Sequence, residues 1–220
     1  MKLDNGGCVY GAGVLLKHLR ALEKEFSGVR EGHADIEYIH RMRVASRRLR
    51  ATLPLFAGCL PKKRAAAWTK EIRSITSALG AARDADVQIQ NLESFRRKQS
   101  DPLYSPGLNR LLLRLQQKRD RLQPGLVKAL DELRAAGTLT EMLALLEPQA
   151  ARAEGVYLYT PSLYTHSFAS ITARLDEFMG FDPIVDQPEK VAELHTMRIA
   201  AKGLRYTLEA FAPLYPNELK

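Results

Sequence analysis

The feature that most constrains this chain is an internal repeat. The 22 residues from His40 to Pro61 align without a gap on the 22 from His195 to Pro216, at a constant offset of 155 (195 − 40), and 11 positions are identical. The identities fall at His, Met, Arg, Ala, Leu, Arg, Thr, Leu, Phe, Ala and Pro, while Val44/Ile199 and Arg47/Lys202 keep their chemical type. Chance does not produce such a match. The chain carries a duplication, and what one copy forms the other is expected to form too.

A helical wheel shows what was duplicated. At about 100° per residue with His40 at 0°, Arg43, Arg47 and Arg50 join it within an arc of about 80°. Met42, Ala45, Leu49, Leu53 and Phe56 gather on the opposite side. The second copy repeats the arrangement, with His195, Arg198, Lys202 and Arg205 as the polar stripe and Met197, Ala200, Leu204, Leu208 and Phe211 as the apolar one. Each copy therefore reads as a helix with one core face and one cationic ridge. Like charges at three- and four-residue spacing disfavour a bare helix by ~0.2–0.5 kcal/mol per pair, a strain that an anionic ligand would relieve. Glu209, one turn beyond Arg205, is expected to orient Arg205 or Lys202.

Charge supports the same direction. With 33 Lys+Arg against 25 Asp+Glu the chain is formally +8, and no acid occurs between Glu37 and Glu71. That stretch holds nine cations, from Arg41 to Lys70. It reads as a surface for polyanions or as a plain solvated helix face. The 45% hydrophobic and 26% charged residues are globular values and exclude a disordered chain. No transmembrane, signal or lipoprotein segment is recognisable. Cys8 and Cys59 make neither a disulfide framework nor a zinc site, and a reducing, cytoplasmic location is the simpler expectation.

Apolar periodicity predicts an all-α fold with helices over 9–27, 35–57, 62–79, 84–98, 108–133, 138–147, 162–179 and 188–211. Asp35 and Asp84 are expected caps, Thr138 with Glu141 reads as a capping box, and Pro54 and Pro124 should kink or break their helices. Short connections suggest antiparallel bundles. His18, His33 and His166 stand alone and read as surface or core residues. Glu37-x-x-His40 has di-iron spacing, but Ala192 replaces the Glu in the second copy, so no metal site is expected. No cofactor is expected either.

These residues carry a family resemblance. His40-x-x-Arg43-Val-x-x-Arg47-Arg-Leu-Arg50, its second copy His195-x-x-Arg198-Ile-x-x-Lys202-x-Leu-Arg205-Tyr, and Leu79-Gly-Ala-Ala-Arg83-Asp84-Ala-Asp-Val87 together resemble the CHAD domain, the conserved histidine α-helical domain, from about Tyr10 onward. The resemblance implies two antiparallel helical bundles related by pseudo-twofold duplication. A half-domain over residues 1–100 and another over 101–220 would together form one domain. It also implies binding of inorganic polyphosphate in a basic groove between the duplicated helices, and association with polyphosphate granules or CYTH-type phosphate enzymes. The expected ligands are His40, Arg43, Arg47, Arg50, His195, Arg198, Lys202 and Arg205, with Arg48, Lys70, Arg73 and Arg83 as further binding candidates. Two departures stand out. Gly203 replaces Arg48 in the second copy, and the counterpart of Arg83-Asp84 would fall past Lys220, so the chain is truncated or its second bundle is abbreviated.

Three function classes remain at this stage. A non-catalytic polyphosphate binder leads. A nucleic-acid-binding helical module is compatible with the charge, but only 7% of residues are aromatic, few for base stacking. A phosphohydrolase would need clustered carboxylates or a general base, which the ridges lack.

Overall fold

In the computed structural model the chain is described over residues 3–32, 35–99 and 101–216. His33 lies outside the described residues. The protein is all-α, with α1 (Asn5–Lys24), α2 (Phe26–Glu31), α3 (Glu37–Thr52), α4 (Lys62–Lys98), α5 (Ser105–Ala135), α6 (Thr138–Ala150), α7 (Pro161–Met179) and α8 (Val191–Phe211). Short 3-10 turns join several of them, and no strand occurs among the described residues.

Several boundaries differ from expectation for identifiable reasons. Helix α1 begins at Asn5 rather than residue 9, because the Asp4 carboxylate accepts the Gly7 N–H at 2.8 Å. Gly11 also belongs in this helix: a Cβ there would run into the Phe56 ring. The two helices expected over 62–79 and 84–98 are one helix of 37 residues. Gly80 weakens it locally but has no positive φ, and Leu79, Ala82, Ala85 and Asp86 are buried along one side. Asp84 is thus an exposed mid-helix residue rather than a cap. Pro124 does not break α5, whose Leu126, Leu130 and Leu133 are buried beyond it. Pro54 lies just past the end of α3, as its missing N–H requires. Asp35 accepts the Glu37 N–H at 2.9 Å, the expected start signal for α3. Glu141 does not close a capping box with its carboxylate, which instead accepts the Trp68 indole N–H at 3.3 Å.

The fold gathers into two compact units, each drawn from separated segments: residues 1–17, 48–67 and 142–220 in one, 18–47 and 68–141 in the other. This grouping cuts across the expected halves at residue 100. Helix α3 supplies residues to both units, whereas α8 belongs wholly to the first.

The first unit is centred on an aromatic cluster. Phe56 and Phe211 meet edge to face at 5.7 Å, with Tyr10 against Phe56 and His166 against both rings. The Tyr10 hydroxyl donates to the Ala210 carbonyl at 2.7 Å, and burial pushes its pKa up. His166 bonds the Leu55 carbonyl at 2.7 Å, so it is a satisfied core histidine. Cys8 and Cys59 form a disulfide in this unit, so they are not the free thiols expected, and the inference of a reducing compartment loses its basis.

The second unit is tied by a buried polar chain. Arg119 donates to Asp86 at 2.8 Å and to the Gln123 carbonyl oxygen at 3.2 Å, and the Gln123 amide donates to the Val29 carbonyl at 3.0 Å. Asp86 is 3% exposed, so this pairing fixes α4 against α5. No described helix is long and apolar enough to cross a membrane.

Candidate functional site

The cationic run of α3 is sorted by tertiary neighbours that the local sequence does not contain. Arg41 donates to the buried carboxylate of Glu25 at 2.8 Å and lies over the Tyr38 ring. Arg48 donates to Glu209 of α8 at 2.9 Å. Both lie off the ridge, and their charges are answered inside the protein. The second carboxylate oxygen of Glu209 takes Arg205 at 3.3 Å, the orienting role expected for it.

The ridge of α3 is enclosed to an intermediate degree: His40, Arg43, Arg47 and Arg50 are all half-buried. Arg43 lies against α4 at Gly80, and its Nε is buried without a hydrogen-bond partner. Arg83, one turn further along α4, likewise has its Nη1 buried without a partner. A buried donor on a charged group left unmet costs upwards of ~1–3 kcal/mol, and both nitrogens belong to the second unit, where Oδ2 of Asp86, three residues beyond Arg83, is buried without a partner too. The sequence placed Arg83 only among the further candidates. The continuity of α4 through Gly80 sets Arg83 one turn beyond the place where Arg43 lies against this helix.

In the first unit the ridge of α8 is more open. His195, Arg198 and Arg205 are exposed and Lys202 is half-buried. The Arg205 guanidinium also sits over Tyr206 at 4.9 Å. Arg174 of α7, absent from the sequence-derived set, lies beside Gly203 and donates to Glu177 at 2.6 Å. Its neighbour Gly203, small where the first copy has Arg48, was the available signal. Lys70 and Arg73 are exposed on α4.

Glu71 on α4 has one oxygen buried without a partner, and its pKa is raised by burial and then by the nearby Glu141, against the pull of Lys70. Among the described residues no three His, Cys, Asp or Glu side chains cluster as a metal site would require.

These features define an all-helical domain in which α3 and α8 each display a row of cations. The profile of the CHAD domain family matches residues 13–220, and the chain belongs to that family. The crystal structure of the CHAD domain from the plant Ricinus communis is similar at a TM-score of 0.68 and 26% identity, over 96% of this chain and 67% of that one. PptA from Streptomyces chartreusis shares the fold at a TM-score of 0.62 and 18% identity, over 93% of this chain and 75% of its own. A comparison with curated proteins gave no match.

Proposed function

We propose that this protein binds inorganic polyphosphate without chemically altering it, through the ridges of α3 and α8. The observation that carries the reading is the pair of buried, partnerless guanidinium nitrogens at Arg43 and Arg83. Polyphosphate supplies about one negative charge per internal phosphate and no bases. Its oxygens match the fork of arginine donors, while Lys202 contributes a mobile point charge. His40, Arg47 and Arg50 extend the α3 ridge, and His195, Arg198 and Arg205 form that of α8. A bound phosphate would favour the protonated form of each histidine. The partners that follow are polyphosphate itself, polyphosphate granules and CYTH-type phosphate enzymes.

The test is a titration by salt and chain length. Log affinity should fall linearly with log salt, with a slope of about −0.7 per phosphate neutralised, taking polyphosphate as similar to a nucleic-acid single strand. Engagement of the six ridge Arg and Lys residues gives about −4, and engagement of one ridge about −2. Long chains should therefore bind with the steeper slope, and tripolyphosphate with the shallower one. Equal shallow slopes, or displacement of long-chain polyphosphate by equimolar RNA, would reject the reading.

A further inference from the structure

We infer that Gly80 is a positioning residue of the phosphate site: its missing side chain leaves the buried side-on edge of the Arg43 guanidinium without a methyl against it. The inference rests on the polyphosphate reading and deepens it.

Neither backbone nor packing asks for glycine at this position. Gly80 lies inside α4 with no positive φ, and alanine is the better helix former there. A Cβ built on Gly80 would stand 3.6 Å from Arg43 Nε and 3.7 Å from Nη2, ordinary contact distances rather than a clash. What a methyl would change is the approach to the guanidinium.

The geometry says which approach. Nε and Nη2 form one edge of the guanidinium, the edge that holds a phosphate or carboxylate with two parallel hydrogen bonds. The Cβ position is almost equidistant from these two nitrogens, and the carbon between them, Cζ, is not among the atoms within 4 Å. An atom stacked on the guanidinium face would meet Cζ at least as closely as the nitrogens. The open position therefore lies off the edge, near the guanidinium plane, along the line by which an acceptor oxygen approaches. The Nε there is buried and partnerless; three residues on along α4 Arg83 has a partnerless Nη1, and three further on Asp86 a partnerless Oδ2. An oxygen would reach that edge only once the Arg43 side chain draws back from α4, and the missing Cβ shortens the distance it must move. A methyl at residue 80 would cap both donors instead.

Gly203 in α8 supplies the contrast. There the Cβ position meets Cδ, Nε and Cζ of Arg174 at 3.9, 3.9 and 4.0 Å, which is the stem and face of an arginine whose Nη1 is already held by Glu177. That glycine opens no side-on edge.

The experiment compares Gly80→Ala, Gly203→Ala, Arg43→Ala, Arg43→Lys and the double variant Gly80→Ala/Arg43→Lys in the full chain. Melting temperature and affinity for long-chain polyphosphate are read for each. Gly80→Ala should melt at or above the parent temperature and bind about tenfold more weakly, as expected for loss of a charge-assisted hydrogen bond. Gly203→Ala should leave affinity unchanged. In the Arg43→Lys background, which has no side-on edge to cap, Gly80→Ala should have no further effect. Unchanged affinity in Gly80→Ala while Arg43→Ala binds weakly would overturn the inference and leave the polyphosphate reading standing. Unchanged affinity in both would overturn the reading itself. A lowered melting temperature of Gly80→Ala, an equal loss in Gly203→Ala, or a full loss retained in the lysine background would each refute the open edge.

Discussion

In α3 and the turn that follows it the side chains of Met42, Leu49, Leu53 and Phe56 are 0–2% exposed, whereas in α8 the equivalent Met197, Leu204 and Leu208 are only half-buried and Phe211 alone is 0% exposed. The polar stripes differ in the same sense, with His40 half-buried and His195 exposed. The two helices share their pattern but not their surroundings. Helix α3 is flanked by Tyr38 against Gly28, Arg41 on Glu25 and Arg43 on Gly80. Helix α8 packs beside α7, and its last turns close on Tyr10, Phe56 and His166. Towards its start, Val191 and Ile199 are 70% and 56% exposed, and Phe168 and Met179 of α7 are exposed as well. Identical apolar stripes thus fix which face turns inward, while the packed neighbours fix how dry that face becomes.

The sharpest way to break this comparison is by truncation in the two stripes. Leu49→Ala should destabilise the protein by about 2–5 kcal/mol, and Leu204→Ala by about half of that, because less area is removed from water. Denaturant titration of the intact chain measures both. Equal losses would mean that the α8 stripe is as enclosed as that of α3.

The disulfide tests the α3 end separately. Cys59 follows Phe56 and is joined to Cys8 across a sequence separation of 51 residues. Replacing both cysteines by serine should lower stability by about 2–4 kcal/mol, with helicity retained under native conditions. Circular dichroism with thermal melts, in the absence of reductant, would show it.

For binding, the enclosed ridge should matter more than the open one. Arg43→Ala/Arg47→Ala should weaken long-chain polyphosphate binding on the order of a hundredfold, about 2.7 kcal/mol, and Arg198→Ala/Lys202→Ala by about tenfold, since exposed charges are better screened. Equal effects in isothermal titration at physiological salt would place the two ridges on a par.

The smallest effect is expected from Glu71. Its folded pKa lies above the usual 4.5 because burial and Glu141 outweigh Lys70. For an acid raised in this way the native state holds more protons than the unfolded one between the two values, so stability falls as pH rises through that window. Glu71→Gln should therefore stabilise the chain slightly at neutral pH, with the advantage vanishing below the ordinary glutamate range. Melting curves across the acid range report this, and a pH-independent difference would count against it.

Much of this was legible in the residues. The all-α class and the cationic rows of α3 and α8 follow from a 3.6-residue apolar period, because that period admits only one inward face. Other features were not legible. Gly80 reads locally as a helix end, yet burial of Ala82 and Asp86 carries α4 straight through it. Asp86 and Arg119 are separated by 33 residues, and nothing in either segment marks them as partners. The cysteine pair was misread for the same reason: two residues cannot be matched until the chain brings their Cα atoms within 5.4 Å.

The sequence by itself determined which residues could form the cationic rows, because helical spacing is a local property of the backbone. Only the tertiary structure decided which of those cations are already answered. Arg41 and Arg48 meet Glu25 and Glu209, brought in from 16 and 161 residues away, while nitrogens of Arg43 and Arg83 stay buried and unmatched. Charge pairing depends on distances of a few ångströms between segments from anywhere along the chain, and those distances exist only once the helices have packed.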